Sequence, residues 1–165
     1  MSQNFKTITM PTGNLRYLEI GDGPTLIFLH GRSGLRLSNV LEALSKTHRL
    51  FMPITPGQDG TSYVEGVSSM ETLADLMAEF IHEVAPEPCH VIGHSFGAWL
   101  AAWLAVRHPA TVKRLILEGA AGFRTSGVRP VADTPDAWRR LFYARPEGAP
   151  IGGATFDQEA KNRDS

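Results

Sequence analysis

Residues 91–100 read VIGHSFGAWL: a short apolar run, then Gly93-x-Ser95-x-Gly97, then small and apolar residues at helical spacing. This arrangement fits a sharp turn from a strand into a helix that holds the serine in a strained conformation. Glycines two residues to either side remove the side chains that would otherwise clash there. With 16 glycines in 165 residues, such a string arises by accident in roughly one chain in ten, so its surroundings must decide. His90 to Gly93 reads as a buried strand. Phe96 to Arg107 is apolar on all sides and rich in alanine, which suits a helix packed on a sheet, and Gly97, Ala98, Ala101 and Ala102 leave room for close approach. The plainer alternative is a glycine-lined turn with an ordinary capping serine.

Working outward, the same alternation continues. Thr25 to Leu29 (TLIFL) carries almost no polar group, as expected of a strand covered on both faces. Apolar positions 37, 40, 41 and 44 share a helix face, and Arg49 to Ile54 is a further strand stopped by Pro56-Gly57. Ser68 with Glu71 has capping-box spacing and opens a helix with apolar positions 73, 76, 77, 80, 81 and 84. Pro86 and Pro88 end it. Val112 to Leu117 (VKRLIL) follows as a strand, and Lys6 to Met10 with Leu15 to Ile20 form a hairpin joined at Pro11–Asn14. Strands alternating with helices predict an α/β fold: a mostly parallel sheet of about six strands with helices on both faces.

Composition narrows the function classes. A net charge of −1 with scattered basic residues offers no long-range attraction for nucleic acid or an anionic membrane. The amino terminus has no apolar leader-like core, and Ala98 to Val106, the longest apolar stretch, is too short to cross a bilayer. A cytoplasmic location is the default expectation. Cys89, the single cysteine, has no partner for an intramolecular disulfide and no neighbours resembling a metal site, so it reads as core packing. Neither a metal nor an organic cofactor is expected.

A second chemical feature lies at the carboxyl end of the TLIFL strand, where ligands bind in open α/β sheets. The loop His30-Gly31-Arg32-Ser33-Gly34 can aim the Arg32 backbone N–H at a developing oxyanion. The Phe96 N–H, directly after Ser95 and at the positive end of its helix, is the natural second donor. Gly31, Ser33 and Phe123 are candidates for the substrate-facing wall.

At this point the chain resembles the α/β-hydrolase family. The resemblance rests on His30-Gly31 after an apolar strand, the Pro56-Gly57-x-x-Gly60-x-Ser62 loop, the GHSFG turn and the run HPATVKRLILEGAAG at 108–122. It implies Ser95 as nucleophile and the Arg32 and Phe96 amides as oxyanion hole. It also implies a core at residues 1–124 and the beginning of a helical cap at 125–165, where Thr134-Pro135-Asp136 opens a short helix. Within the family the esterase and C–C bond hydrolase branch is most similar; serine at 95 speaks against branches whose nucleophile is aspartate. The resemblance further implies an acid and then a histidine after the sixth strand. The six histidines stand at 30, 48, 82, 90, 94 and 108, and none follows that strand. Only His30 ends at the right edge of the sheet. Glu118, closing the sixth strand, is the candidate acid, or simply a carboxylate at a strand end.

These features imply a hydrolase for a small-molecule ester, or for a C–C bond beside a carbonyl, with weak or no turnover in the 165-residue chain by itself. The chain is expected to be the amino-terminal piece of a longer hydrolase, cut within its cap. A natural short form that lost catalysis, or completion by another chain, are the alternatives. A non-catalytic small-ligand binding protein on the same fold is the reading from a different class. The sixth strand is expected to form an exposed sheet edge through which the chain can self-associate.

Overall fold

The computed structural model describes residues 5–85 and 88–123, together with Arg140 and Glu147. The chain divides into two compact units, Met1–Phe123 and Arg124–Ser165; the expected cap helix lies outside the described residues. The first unit runs β1 (Phe5–Met10), β2 (Gly13–Ile20), β3 (Thr25–Leu29), α1 (Asn39–Leu44), β4 (Arg49–Pro53), α2 (Met70–Val84), β5 (Cys89–His94), α3 (Phe96–Arg107), a 3-10 turn at Pro109–Thr111 and β6 (Val112–Glu118). The sheet has six strands in the order β1-β2-β4-β3-β5-β6. The hairpin strands β1 and β2 are antiparallel additions, and β4, β3, β5 and β6 run parallel.

The pleat of β3 divides the core. Ile27 and Leu29 join Phe51, Val91 and the apolar faces of α2 and α3, whereas Leu26 and Phe28 join Leu50, Met52 and Leu41 of α1. Helices therefore cover both faces, and β3 and β4 sit mid-sheet with almost every side chain buried. Each fully buried apolar side chain contributes about 1.5–3 kcal/mol relative to exposure. On α2 the buried set is Leu73, Ala74, Leu76, Met77, Phe80 and Ile81, the stripe expected from its spacing. On α1 the expectation needs correction. The helix starts at Asn39 and only Leu41 is fully buried; Val40 is 67% exposed, because six residues make too little helix to turn a broad face inward.

The cap of α2 is also one residue later than its spacing suggested. Ser69, rather than Ser68, accepts the Thr72 N–H, and the Thr72 hydroxyl takes the Ser69 N–H in return. Both serines have a capping partner three residues on, and Thr72 bonds Ser68 N–H as well. Asp75 joins α2 to the end of α3. Its carboxylate accepts two bonds from Arg107 at 2.8 Å and one from His108 at 2.7 Å, and these hydrogen bonds, that of Arg107 first, lower its pKa. Cys89 is buried with Sγ 3.9 Å from the Thr111 carbonyl, and burial pushes its thiol up to about 11. No described helix is long and apolar enough to cross a membrane.

Candidate active site

The sharp turn between β5 and α3 has the geometry that its glycines imply. Ser95 adopts φ 53° and ψ −111°, a region L-residues other than glycine rarely occupy. A Cβ on Gly93 would lie 2.5 Å from Ala98 Cα, with the Gly97 carbonyl closer still. A Cβ on Gly97 would lie 2.6 Å from the His30 carbonyl oxygen, with the Leu29 carbonyl closer still. The turn is thus wedged between its own helix and the end of β3. Its backbone is anchored on the other side: Ser95 N–H donates to the Glu118 carbonyl at 2.8 Å, and Ser95 C=O accepts from Ala121 N–H at 3.1 Å.

Ser95 stands at the N-cap position of α3 yet makes no side-chain capping bond, so the ordinary capping serine is not what the structure contains. Its hydroxyl bonds to no described residue, and the residue is partly exposed. The Arg32 and Phe96 N–H groups likewise donate to no described residue. Gly31 is buried, and a Cβ there would meet His94 Cδ2 at 3.0 Å and Ser95 Cβ at 3.4 Å, so the 31–34 turn lies directly against the serine. Arg32 and Ser33 are exposed beside it, and the turn is closed by Gly34 N–H to Gly31 C=O at 3.1 Å. Phe123 is 61% exposed, at the end of the loop whose Ala121 bonds Ser95.

His30 is a latch rather than a base. The ring is 1% exposed, Nε2 accepts the Thr55 N–H at 3.1 Å, and Nδ1 lies 2.8 Å from the Gly31 carbonyl. An acceptor role at Nε2 fixes the proton on Nδ1, which donates to Gly31. Both nitrogens are spent, and the ring ties the 31–34 turn to the segment that follows β4. Burial is the main cause holding its pKa below the ordinary 6.5. The unfolded chain therefore binds a proton that the folded one does not. The stability from the neutral ring is complete above about pH 6.5 and is lost as the pH falls toward the folded value. Urea midpoints at pH 7.5 and 5.5 are expected to fall on acidification, and His30→Asn is expected to flatten part of that slope; an unchanged slope would refute the assignment.

The remaining histidines do not reach Ser95 Oγ by a hydrogen bond. His94 Nδ1 faces Glu118 Oε2 at 3.4 Å, an open pair with side chains 47% and 67% exposed. His108 serves Asp75, and His48 Nδ1 lies 2.9 Å from the Thr47 hydroxyl. Glu118 closes β6 as expected, but its carboxylate meets His94. Among the described residues, no group of three or more His, Cys, Asp or Glu side chains is placed to hold a metal ion.

Asp59 is the site residue that sequence reasoning missed. At φ 47°, it sends Oδ2 to the Leu35 N–H at 2.7 Å, while Oδ1 lies 3.7 Å from Arg36. A Cβ on Gly34 would fall 2.6 Å from its carboxyl carbon. The 56–62 loop thereby props the 31–35 loop. The only hint was its place between the glycines of the Pro56-Gly57-x-x-Gly60-x-Ser62 loop. Asp59→Ala is expected to cost about 1–2 kcal/mol by orphaning the Leu35 amide, with faster hydrogen exchange at residues 33–36; unchanged exchange there would contradict the role.

Comparison with known proteins gives a consistent picture. A family model described as "alpha/beta hydrolase fold" matches residues 24–150. A pimeloyl-[acyl-carrier protein] methyl ester esterase of Aeromonas hydrophila subsp. hydrophila is 34% identical over 98 residues, covering 58% of this chain and 37% of that protein. A 2-hydroxymuconate semialdehyde hydrolase of Pseudomonas sp. (strain CF600) is 31% identical over 113 residues, covering 62% and 38%. The chain spans less than two fifths of the length of these two curated relatives. A solved hydrolase from Pseudomonas aeruginosa PA01 superposes with a TM-score of 0.66 at 20% identity, covering 86% of this chain and 52% of that one, a likeness of fold alone.

Proposed function

This chain belongs to the α/β-hydrolase fold family, and from that premise we propose that it carries the nucleophile and oxyanion hole of a serine hydrolase. The substrate class is a small carboxylic ester or a compound with a C–C bond beside a carbonyl, in keeping with the esterase and the semialdehyde hydrolase it resembles. The observation that carries the reading is Ser95 itself. A strained backbone holds a hydroxyl that makes no capping bond, beside the 31–34 turn that lies against it. Strain kept without a compensating local bond is characteristic of functional positions.

In the proposed reaction, Ser95 Oγ attacks the carbonyl carbon. The resulting oxyanion accepts hydrogen bonds from the Arg32 and Phe96 N–H groups, at the positive end of α3. Collapse breaks the bond to the leaving group, which departs with a proton, and leaves an ester on Ser95. Water then attacks that acyl carbon and releases the acid, regenerating the hydroxyl. Gly31 and Ser33 border the acyl side, with Phe123 on the following loop. Residues 125–165 are proposed to begin a helical cap, and Glu118 is retained as the candidate acid.

None of the six histidines hydrogen-bonds to Ser95, so the imidazole that would take its proton is proposed to come from beyond these 165 residues. For this chain alone the oxyanion hole would sustain about 10³–10⁴ over the uncatalysed rate. The same observation favours a second reading, in which the fold holds a small ligand without turning it over. Mass spectrometry after treatment with a fluorophosphonate separates them, alongside p-nitrophenyl acetate turnover by wild type and Ser95→Ala. The hydrolase reading expects slow modification at Ser95 and weak turnover, both absent in Ser95→Ala. Absence of modification in the wild type would leave the binding reading.

A further inference from the structure

We propose that His94 is a positioning residue for the oxyanion hole: oriented by Glu118, its ring holds the 31–34 turn at a fixed distance from Ser95. The inference rests on the hydrolase reading above and adds a side chain to it. The sheet order makes the arrangement possible. β3, β5 and β6 are parallel neighbours with β5 in the middle. His94 and Glu118 are the last residues of β5 and β6, and Gly31 lies two residues past the end of β3, so the three stand in a row at the carboxyl ends of their strands. His94 and Glu118 are also direct partners in the β5–β6 register, which puts their side chains on one face of the sheet.

The ring of His94 bridges its two neighbours. Nδ1 lies 3.4 Å from Glu118 Oε2. On the other side, a Cβ on Gly31 would fall 3.0 Å from His94 Cδ2 and 3.5 Å from Nε2, and the same point is 3.4 Å from Ser95 Cβ. The ring reaches the turn because Gly31 has no side chain. Arg32, whose N–H is the proposed donor, is the next residue, so displacing Gly31 displaces that N–H relative to Ser95. Two other contacts hold the turn: His30 Nδ1 donates to the Gly31 carbonyl, and Asp59 accepts the Leu35 N–H. Both tie it to the 55–59 segment. His94 adds the contact with the strand that leads into Ser95. An ion pair with side chains 47% and 67% exposed adds little stability, so the Glu118 carboxylate acts here by orienting the ring. That task is separate from a role as the acid, which requires an imidazole other than His94.

The kinetics of Ser95 modification by a fluorophosphonate test this, with reagent concentration varied to separate binding from reaction. The phosphonyl oxygen of the reagent occupies the oxyanion hole as the bond to Ser95 forms. Deleting an oxyanion donor costs about 10²–10³ in rate, and displacing one costs less. His94→Ala is therefore expected to lower the maximal rate constant about tenfold, with the half-saturating concentration within about twofold of wild type. His94→Phe, which returns a ring beside Gly31, should recover part of the loss. Glu118→Ala should cost about threefold in the wild-type background and nothing further in His94→Ala, the coupling expected of a residue that acts through another. Amide exchange at Arg32 and Ser33 should quicken in His94→Ala while α2 exchanges as in wild type. A wild-type maximal rate in His94→Ala, no recovery in His94→Phe, or equal costs of Glu118→Ala in both backgrounds would each overturn the proposal. Where His94→Ala fails to fold by circular dichroism, an unchanged rate in Glu118→Ala overturns it. A wild-type chain that is itself unmodified at Ser95 is the distinct outcome that removes the hydrolase reading, and this inference with it.

Discussion

Gly97→Ala is expected to leave the chain largely unfolded at moderate urea, although by helix propensity alone the change should help. Alanine in place of glycine within a helix gains about 1 kcal/mol. Against that stands a new methyl group about 2.6 Å from the His30 carbonyl oxygen and nearer still to that of Leu29. Both are backbone atoms at the end of β3, not the ends of flexible side chains, so relief requires moving the strand and the 31–34 turn. Overpacking against rigid neighbours costs about 1–3 kcal/mol, and more where backbone must shift; the clash wins. Gly60→Ala is the control. Gly60 has φ +75° but open space around the Cβ position, so only the backbone preference is lost, about 1–2 kcal/mol. Urea melts of the two variants should differ clearly in midpoint, with Gly97→Ala much the lower. Equal midpoints would mean that the turn between β5 and α3 yields easily to the added methyl group.

Ser95→Gly should act in the opposite direction on stability while abolishing reactivity. At φ 53° and ψ −111° serine carries about 1–3 kcal/mol of backbone strain that glycine would not. Glycine's greater freedom in the unfolded chain removes about 0.5–1 kcal/mol of that gain. The net expectation is a stabilisation of about 1 kcal/mol, a rise of a few degrees in Tm for a unit of this size. With it goes complete loss of fluorophosphonate modification and of the turnover that Ser95 supports. Ser95→Ala loses the same chemistry but keeps the strained backbone, so it should melt near wild type. A Ser95→Gly protein less stable than Ser95→Ala would show that position 95 is not strained.

The parts of this fold that were legible in sequence are those where one local pattern has one packing solution. TLIFL has no polar face to show to water, so it lies mid-sheet. Leu73, Leu76, Met77, Phe80 and Ile81 leave α2 a single face to bury. The GHSFG turn was readable because glycines at both flanks make sense only where a Cβ would collide. What escaped reading depends on residues far apart in the chain. Asp59 and Leu35 are 24 positions apart, and His30 and Thr55 are 25 apart. No periodicity announces either contact. The cap of α2 failed differently. Ser68 and Ser69 present the same signal one residue apart, and local hydrogen bonding alone chose between them. On α1 the apolar spacing was genuine, but with so little helix Val40 remains in solvent.

The buried thiol at the start of β5 gives the molecule an internal clock. Shielded within the core and with its proton held to about pH 11, Cys89 offers a disulfide reagent almost no thiolate while the sheet is closed. Its rate of modification therefore counts the openings of the strand that leads into Ser95, so the rigidity of that turn can be timed without a substrate.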